Sequence, residues 1–264
     1  MRQEQGRPLA LVTGASSGIG YELAKQFAGH GFDLIVNAED PGIADAAREL
    51  RELGVSVEAV QADLATHDGV ERLYERVGGR PLAAVAINAG IGAGGPFAET
   101  DLAGDLEVVD LNVRSSVHLA KLCLRDMVPR GEGRVLFTSS VAATQPGPFE
   151  ATYAASKAFL LSFSEALRNE LKDTGVTVTA LMPGPTDTEF FERAGMEDTR
   201  VGSGEKDDPA QVAEQGFEAL MKGEAQVVAG SFKNKAMVGA AKVMPEKARA
   251  AAHRRMAEPG SGDH

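Results

Sequence analysis

Short apolar runs alternate with amphipathic stretches along the whole chain. Apolar runs of strand length lie near residues 8–13, 32–37, 56–62, 82–88, 133–139, 176–182 and 225–229. Between them, apolar positions recur at helical spacing near residues 18–30, 42–53, 66–78, 103–128, 152–173 and 209–222. Buried strands that alternate with helices are typical of a parallel sheet covered by helices on both faces. The pattern therefore predicts an α/β fold built on a doubly wound sheet of about seven parallel strands.

No internal repeat or low-complexity linker divides the 264 residues, and α/β folds of this length commonly form one domain. We expect a single domain over 1–264, with a core at about 8–230 and a C-terminal helical extension and tail at 231–264. Residues 189–207 are expected to form a mobile lid. The basic, partly amphipathic helix through about Arg255 is expected to pack on a neighbouring subunit or lie in solvent rather than bind a membrane. Residues 258–264 are expected to be disordered.

Charge and composition narrow the class of protein. The net charge of −11 argues against a nucleic-acid partner and against an anionic membrane surface. The lone cysteine, Cys123, allows no disulfide within the chain, which fits a reducing compartment. The polar N-terminus lacks the apolar segment of a signal peptide, and no apolar run reaches the ~20 residues that span a bilayer. We expect a cytoplasmic protein with no integral membrane segment.

Metal chemistry is not predicted. No cluster of His, Cys, Asp and Glu has the sequence spacing of a metal site, so we expect none. His118 and Cys123 lie on an apolar face of a predicted helix and are interpreted as packing residues.

A glycine-rich turn follows the first predicted strand and opens the first predicted helix. Such a turn lets the backbone approach a pyrophosphate, and the helix N-terminus offers N–H groups to it. Its Gly-x-x-x-Gly-x-Gly spacing differs from the commoner Gly-x-Gly-x-x-Gly, and a purely structural turn is the alternative. The candidate dinucleotide-binding residues here are Gly14, Ser16, Ser17, Gly18, Ile19 and Gly20.

A tyrosine and a lysine stand four residues apart on a predicted helix, so their side chains share one face. An ammonium near Tyr153 favours the phenolate, so we expect Lys157 to lower the Tyr153 pKa. Tyr153 would then serve as general acid or base. The alternatives are a tyrosine packed at a helix start and a solvated surface lysine.

These motifs together resemble the short-chain dehydrogenase/reductase family over about residues 8–230. Further matching motifs follow in the family's order: Asp63-Leu64, Asn88-Ala89-Gly90, Asn112, Ser140 thirteen residues before Tyr153, and the segment from Pro183 and Gly184 to Thr186 and Thr188. Most of these residues follow predicted strands, at the sheet edge where ligands of such folds bind.

The resemblance assigns roles to these residues. It implies that Asp63 meets the adenine, that Lys157 bonds the nicotinamide ribose, and that the 183–188 segment holds the carboxamide. It also implies that Ser140, rather than its neighbour Ser139, hydrogen-bonds the substrate oxygen. Asn112 would hold a water for proton relay.

Several of these assignments have plainer alternatives. Asn112 could instead be a satisfied polar group in a long helix with a local kink. Ordinary turn chemistry could account for Thr186 and Thr188. Four side chains are candidates either for a substrate pocket or for the core: Phe149, Met182, Phe190 and Phe191.

The end of the second strand bears on the choice of cofactor. Ala38 stands where the family's NAD enzymes often carry Asp, and Glu39 where its NADP enzymes often carry Arg. Ser16 stands where NADP enzymes often carry a basic residue, and 37–47 contain none. Because Glu39 and Asp40 would repel a 2′-phosphate, we predict NAD(P)(H) binding with NAD(H) favoured over NADP(H). The alternative is that Ala38 leaves room for the phosphate and Arg48 reaches it.

The expected function is therefore an NAD(P)-dependent oxidoreductase that interconverts a small-molecule ketone or aldehyde and an alcohol. The alternative is a non-catalytic NAD(P)-binding regulator that senses redox state, which would have no need of a tuned proton donor. In related proteins the helices corresponding to 103–128 and 152–173 form subunit interfaces, so the resemblance also implies a homodimer or homotetramer.

Overall fold

Seven parallel strands form one sheet in a computed structural model that describes residues 6–241 and 244–263. The order across the sheet is β3-β2-β1-β4-β5-β6-β7. The strands are β1 (Leu9–Thr13), β2 (Asp33–Ala38), β3 (Val57–Gln61), β4 (Leu82–Ile87), β5 (Gly133–Thr138), β6 (Val176–Pro183) and β7 (Gln226–Ala229). The prediction of a doubly wound parallel sheet is confirmed, and each strand begins and ends within one residue of its predicted range.

Helices connect the strands and extend beyond the last one. They are α1 (Gly18–Gly29), α2 (Ile43–Arg51), α3 (His67–Glu75), α4 (Leu102–Val108), α5 (Ser115–Arg130), α6 (Ala151–Glu170), α7 (Phe190–Arg193), α8 (Arg200–Ser203), α9 (Pro209–Lys222), α10 (Phe232–Ala241) and α11 (Glu246–Ala257). None of those within the described ranges is both long and apolar enough to cross a bilayer.

Two hydrophobic cores cover the two faces of the sheet. On one face α1, α2 and α9 pack together, and the rings of Phe27 and Phe217 meet edge to face with centroids 5.1 Å apart. On the other face α3, α5 and α6 contribute buried leucines such as Leu73 and Leu119. The central strands present small residues such as Ala84 to these helices, which fits the alanine-rich composition.

The predicted helix over 103–128 is interrupted. A π-helical segment, Val109–Arg114, joins α4 to α5. Within it lies the fully buried Asn112, whose amide donates to the Ile91 carbonyl and accepts from the Ile91 N–H, both at 2.9 Å. A π-bulge of this kind re-aims one side chain within an otherwise regular helix.

The C-terminal segment packs on its own chain, which corrects two expectations. Helix α11 lies against the turn before α6, where Arg249 donates to the Thr144 carbonyl at 2.9 Å. The tail is anchored as well, because Gly262 donates to the Asp198 carbonyl at 2.8 Å and Ser261–Asp263 form a 3-10 turn. Helix α11 therefore does not lie free in solvent, and the expectation of disorder was wrong for residues 258–263, whereas packing of α11 on a neighbouring subunit stays a prediction. Residue 264 lies outside the described residues.

The order of the strands places the site. Strand β1 pairs with β2 on one side and β4 on the other, so chain connections leave in opposite directions at this point. A crevice opens beyond the carboxyl ends of such strands. The turns after β1, β3, β4, β5 and β6 all meet there.

Candidate active site

A cavity of about 520 Å³ occupies this crevice. It is lined by every predicted site residue except Asn112, which lies behind its wall: Gly14, Ser16, Ser17, Gly18, Ile19, Gly20, Glu39, Asp63, Leu64, Asn88, Ala89, Gly90, Ser140, Tyr153, Lys157, Pro183, Gly184, Thr186 and Thr188. The structure thus brings together residues that lie far apart in the sequence, from the first strand to the segment after the sixth.

The glycine-rich turn wraps tightly around the start of α1. Gly14 has φ of 65°, in the left-handed region that favours glycine. A Cβ on Gly20 would lie 1.9 Å from the Gly14 carbonyl oxygen, so no side chain fits there. Ser17 stands at the N-cap of α1 without capping it through its side chain. The first N–H groups of α1 are therefore available to an anion in the cavity.

A hydrogen-bond network that the sequence did not reveal fixes this turn to the sheet. Thr13 Oγ1 accepts from the Asn88 N–H at 2.9 Å, while Asn88 Nδ2 donates to the Thr13 carbonyl at 3.2 Å. Thr138 Oγ1 donates to Asn88 Oδ1 at 2.9 Å. The Asn88 side chain thus ties the ends of β1, β4 and β5 together. In the sequence, the hydroxyl side chains of Thr13 and Thr138 at the ends of apolar strands could have pointed to this network.

At the end of β2, Asp40 rather than Glu39 is held in a fixed position. Its carboxylate accepts from Ser16 Oγ at 2.6 Å and from the Gly42 N–H at 2.9 Å. Glu39 also lines the cavity, but it is exposed. Arg48, the suggested phosphate ligand, pairs with Asp45 on the surface at 2.6 Å and is not part of the cavity lining.

Lys157 is buried, which excludes the surface-lysine interpretation. Only 5 % of the residue is exposed, and Nζ donates to the Thr138 carbonyl at 3.0 Å. Burial disfavours the ammonium and lowers the Lys157 pKa from 10.5 to about 8. Nζ lies 5.6 Å from the centroid of the Tyr153 ring, so the pair shares one face of α6 as predicted.

The Tyr153 pKa is raised rather than lowered, which corrects the expectation from its neighbour. Burial of the phenol is the largest cause, and the charge of Glu150 adds to it. A hydrogen bond with Ser140 opposes both effects without overcoming them. Desolvation of the phenolate thus outweighs the opposing hydrogen bond, and Tyr153 keeps its proton through neutral pH.

The two neighbouring serines have different partners. Ser139 Oγ donates to the Lys157 carbonyl at 2.8 Å and so fastens α6 to the end of β5. Ser140 Oγ accepts from the Ala142 N–H at 3.1 Å and hydrogen-bonds the Tyr153 phenol. The hydroxyl beside the phenol is therefore that of Ser140.

Asn112 is fully satisfied by protein groups. Besides Ile91, its amide donates to Ser156 Oγ at 2.9 Å. A Cβ on Gly90 would meet both Asn112 Oδ1 at 2.9 Å and Lys157 Nζ at 3.2 Å, so Asn112 lies just behind the lysine. This geometry matches the satisfied-polar-group interpretation, and a water-relay role for Asn112 stays a prediction.

The segment after β6 lies over the glycine turn. A Cβ on Gly18 would be 3.0 Å from Thr188 Cγ2, so the two walls of the cavity nearly touch here. Thr186 Oγ1 donates to the Gly184 carbonyl at 2.9 Å, and Thr188 Oγ1 accepts from the Phe190 N–H at 3.3 Å. Both threonines make turn-type bonds and still line the cavity.

Beyond Tyr153 the wall of the cavity is largely apolar. It comprises Ile91, Phe190, Phe191, Val201, Met237 and Met256. Of the four predicted lining residues, Phe190 and Phe191 are confirmed as lining, and the Phe190 ring lies 5.0 Å from that of Tyr153. Phe149 and Met182 are not among the lining residues, since Phe149 packs beneath Arg254 and Met182 is buried in β6.

A buried contact between a histidine and a carboxylate in this wall joins the C-terminal helix to the start of α6. His253 Nε2 lies 2.8 Å from Glu150 Oε2, and only 7 % of each side chain is exposed. Gln145 Nε2 lies 3.1 Å from His253 Nδ1. Because 103 positions separate the pair, nothing local in the sequence connects them.

The comparison with known proteins decides the family. Residues 8–198 match the model of the family described as short chain dehydrogenase. The chain belongs to this family. Its members are the NAD(P)-dependent short-chain dehydrogenases/reductases, and the chain is an oxidoreductase of that kind.

Relatives and solved structures agree with this assignment. Ketoacyl reductase HetN of Nostoc sp. is 31 % identical over 199 residues, which cover 73 % of this chain and 67 % of HetN. A short-chain dehydrogenase of Sphingobium yanoikuyae in complex with NADPH is 31 % identical with a TM-score of 0.79, over 84 % of this chain and 87 % of its own. The bulky-bulky ketone specific alcohol dehydrogenase of Comamonas testosteroni is 26 % identical with a TM-score of 0.76, over 92 % and 96 %.

Replacing Lys157 by Met is expected to stabilise this short-chain dehydrogenase at pH 7. The lowered Lys157 pKa corresponds to a burial cost on the order of 3 kcal/mol while the ammonium is charged. The lost bond to Thr138 offsets part of this, so a gain of about 1–2 kcal/mol in unfolding free energy is expected. Urea denaturation of both proteins measures it.

The pH dependence of that gain provides the control. Below pH 8 the ammonium is charged in the folded and the unfolded chain, so its full cost is present. Between pH 8 and 10.5 the folded chain releases the proton first, which relieves the cost and narrows the gap between the two proteins. A Lys157→Met protein less stable than the parent at pH 7 would contradict this account.

Proposed function

We propose that the chain catalyses hydride transfer between NAD(P)(H) and a ketone or aldehyde, forming an alcohol, with Tyr153 as general acid. In the reverse reaction Tyr153 is the general base. The observation that carries the proposal is a buried phenol that holds its proton, beside the Ser140 hydroxyl and the buried Lys157, in a cavity that begins at an uncapped helix N-terminus.

The residues present fit a dinucleotide. The uncapped N–H groups of α1 suit the pyrophosphate, the pocket at Asp63 and Leu64 suits the adenine, and the 183–188 segment suits the carboxamide. When bound, the nicotinamide supplies the hydride in reduction and accepts it in oxidation. Lys157, one turn from Tyr153, is the group placed to bind the adjoining ribose.

Proton transfer falls to the side chains around Tyr153. In reduction the phenol donates its proton to the carbonyl oxygen, which becomes the alcohol hydroxyl. The Ser140 hydroxyl donates a hydrogen bond to the same oxygen and stabilises the charge that develops there. The Lys157 ammonium then stabilises the phenolate that remains on Tyr153.

Removing the phenol hydroxyl tests the proposed acid. Tyr153→Phe is expected to lower kcat by about 10²–10⁴-fold, the usual contribution of a general acid, while NADH binding is largely retained. NADH-dependent reduction of a panel of ketones and aldehydes measures it. Tyr21→Phe is the matched control, because Tyr21 lies on α1 and bonds Glu49 instead.

Unchanged turnover in Tyr153→Phe would overturn the assignment of Tyr153. If the parent enzyme binds NADH but reduces no member of the panel, the non-catalytic regulator becomes the better account of the site.

Glu150 raises the proton affinity of Tyr153, so removing its charge moves the pH profile. In Glu150→Gln the rate of alcohol oxidation at a given pH is expected to rise about threefold, because a larger fraction of the Tyr153 phenol is ionised when the negative charge is removed. Oxidation rates measured from pH 6 to 8 test this, with the exposed Glu246→Gln as control. A slower oxidation in Glu150→Gln than in the parent would contradict the electrostatic role of Glu150.

For the cofactor we propose a preference for NAD(H), carried by Asp40 as well as Glu39. Asp40 is fixed by Ser16 and Gly42 beside the cavity, where a carboxylate accepts a ribose 2′-OH and repels a 2′-phosphate. This differs from the Sphingobium relative, whose structure contains NADPH.

Fluorescence titration with NADH and NADPH tests the preference. NADH is expected to bind at least about tenfold more tightly, a difference of about 1.4 kcal/mol. Asp40→Ser is expected to narrow the ratio by more than Glu39→Gln does, since Glu39 is exposed. Tighter binding of NADPH by the parent protein would refute the preference.

The apolar wall beyond Tyr153 favours a carbonyl substrate with an apolar body. The names of the relatives, a ketoacyl reductase and an enzyme specific for bulky ketones, agree with such a substrate. Neither a nucleic acid nor a membrane lipid is proposed as partner.

We also propose a homodimer or homotetramer in the cytoplasm. Large apolar side chains are exposed on and beside α4 and on α6, among them Leu102 (67 %), Leu106 and Phe159. Exposed apolar side chains on neighbouring helices are typical of a subunit interface. Sedimentation velocity distinguishes the monomer from the two assemblies.

A further inference from the structure

Three side chains with metal-binding atoms meet far from the cavity, where α3 packs against α5. They are His67, Glu71 and His118, and their ligand atoms all lie within 4.8 Å of one another. His118 Nε2 is 2.6 Å from Glu71 Oε1, and His67 Nε2 is 3.9 Å from the same oxygen. The sequence hides this cluster, because 47 positions separate His118 from Glu71.

The backbone beneath this cluster is firmly held. His67 and Glu71 are one turn apart on α3, so they share a face of that helix. Leu73 of α3 and Leu119 of α5 are buried in the same core. The Tyr74 hydroxyl also donates to the Leu122 carbonyl at 3.1 Å, which joins the two helices. The ligand positions are therefore set by core packing rather than by a loop.

The hydrogen bond within the cluster joins Glu71 to His118 and does not include His67. The Glu71 carboxylate bonds His118, whereas 3.9 Å from His67 is too long for a hydrogen bond. The two imidazole rings lie with centroids 4.8 Å apart and planes inclined by 36°. A single carboxylate thus faces two imidazole nitrogens, and a cation between them would satisfy all three.

A second carboxylate lies beside His67, with Asp68 Oδ1 3.4 Å from His67 Nδ1, on the other side of the ring from Nε2. Histidines that bind metals usually turn their other ring nitrogen toward a carboxylate or carbonyl in this way. Asp68 and the net charge of −11 also favour a cation electrostatically.

We propose that His67, Glu71 and His118 form a zinc site, with water as the fourth ligand. Two imidazoles and one carboxylate suit Zn²⁺, whereas Mg²⁺ and Ca²⁺ prefer oxygen ligands throughout. With zinc bonds of about 2.0–2.1 Å, ligand atoms in a tetrahedral site lie roughly 3.3 Å apart. The 2.6 Å and 3.9 Å separations each need less than about 1 Å of adjustment. The 40 % exposed Glu71 side chain permits the first and the 71 % exposed His67 side chain the second.

A metal at this place would link α3 to α5 and leave proton transfer at Tyr153 untouched. The three ligands are not part of the cavity lining, so the site does not depend on the function proposed above. We therefore expect zinc to change thermal stability rather than the chemistry of the cavity.

Calorimetric titration of untagged protein with ZnCl₂ in chelator-free buffer tests the site. One equivalent of zinc is expected to bind, and His67→Ala and His118→Ala are each expected to weaken binding at least tenfold. Glu71→Gln, which keeps the size of the side chain, is expected to weaken it as well. His30→Ala is the matched control, because His30 is an exposed histidine at the end of α1 that bonds the Gln26 carbonyl.

Two further readouts separate a built site from scattered surface binding. Cobalt(II) in place of zinc is expected to give visible absorption bands in the parent protein that vanish in both histidine variants. Zinc is expected to raise the Tm of the parent and of His30→Ala, but not that of His67→Ala. Circular dichroism confirms folding of each variant, and substitution of the exposed His67 is the one least prone to disturb it.

Either of two results would overturn the proposal. One is the lack of saturable binding at one equivalent in the parent protein. The other is binding that persists in His67→Ala and His118→Ala with the affinity of the parent, which would assign the zinc to other surface groups and leave Glu71 and His118 as an ordinary ion pair.

Discussion

The site depends on the hydrogen-bond network that ties the ends of three parallel strands together through Asn88. Thr13, Asn88 and Thr138 are joined by hydrogen bonds at the point where the connections between strands leave in opposite directions. The Thr138 carbonyl also accepts a hydrogen bond from Lys157. Because unsatisfied buried polar groups are costly, this network specifies one arrangement of the strand ends. The glycine turn and α6 are thereby held in fixed positions relative to each other.

Burying titratable groups in the wall of the cavity lowers the folding stability of the protein. Lys157 is buried with a lowered pKa and Tyr153 with a raised one, and desolvation is the first cause in both. At neutral pH the cost in stability falls on Lys157, whose ammonium is charged there, whereas the uncharged phenol of Tyr153 carries no such cost. Groups whose pKa values are shifted in opposite directions within one cavity are typical of functional sites. Here burial makes Tyr153 a weaker acid, and through Lys157 it also lowers the stability of the fold.

The C-terminal helix completes the cavity instead of serving as an appendage. His253 and Met256 line the cavity, while Gly262 fastens the tail to the segment that carries α8. The turn before α6 is also strained, since Phe149 has φ of 66° and its carbonyl accepts from Gly95 at 2.8 Å. The charge of Glu150, which bears on Tyr153, is consequently positioned by residues from three distant parts of the chain.

The sequence by itself determined the features that depend only on neighbouring residues along the chain. The strand and helix periods, the glycine turn before α1, and the four-residue spacing of Tyr153 and Lys157 are local properties, so their placement followed from pattern and resemblance. Tertiary structure alone decided the raised Tyr153 pKa, because desolvation depends on what packs around the phenol. It also decided the Glu150–His253 pair and the cluster at His118, because contacts between positions 103 and 47 residues apart leave no periodic trace in the sequence.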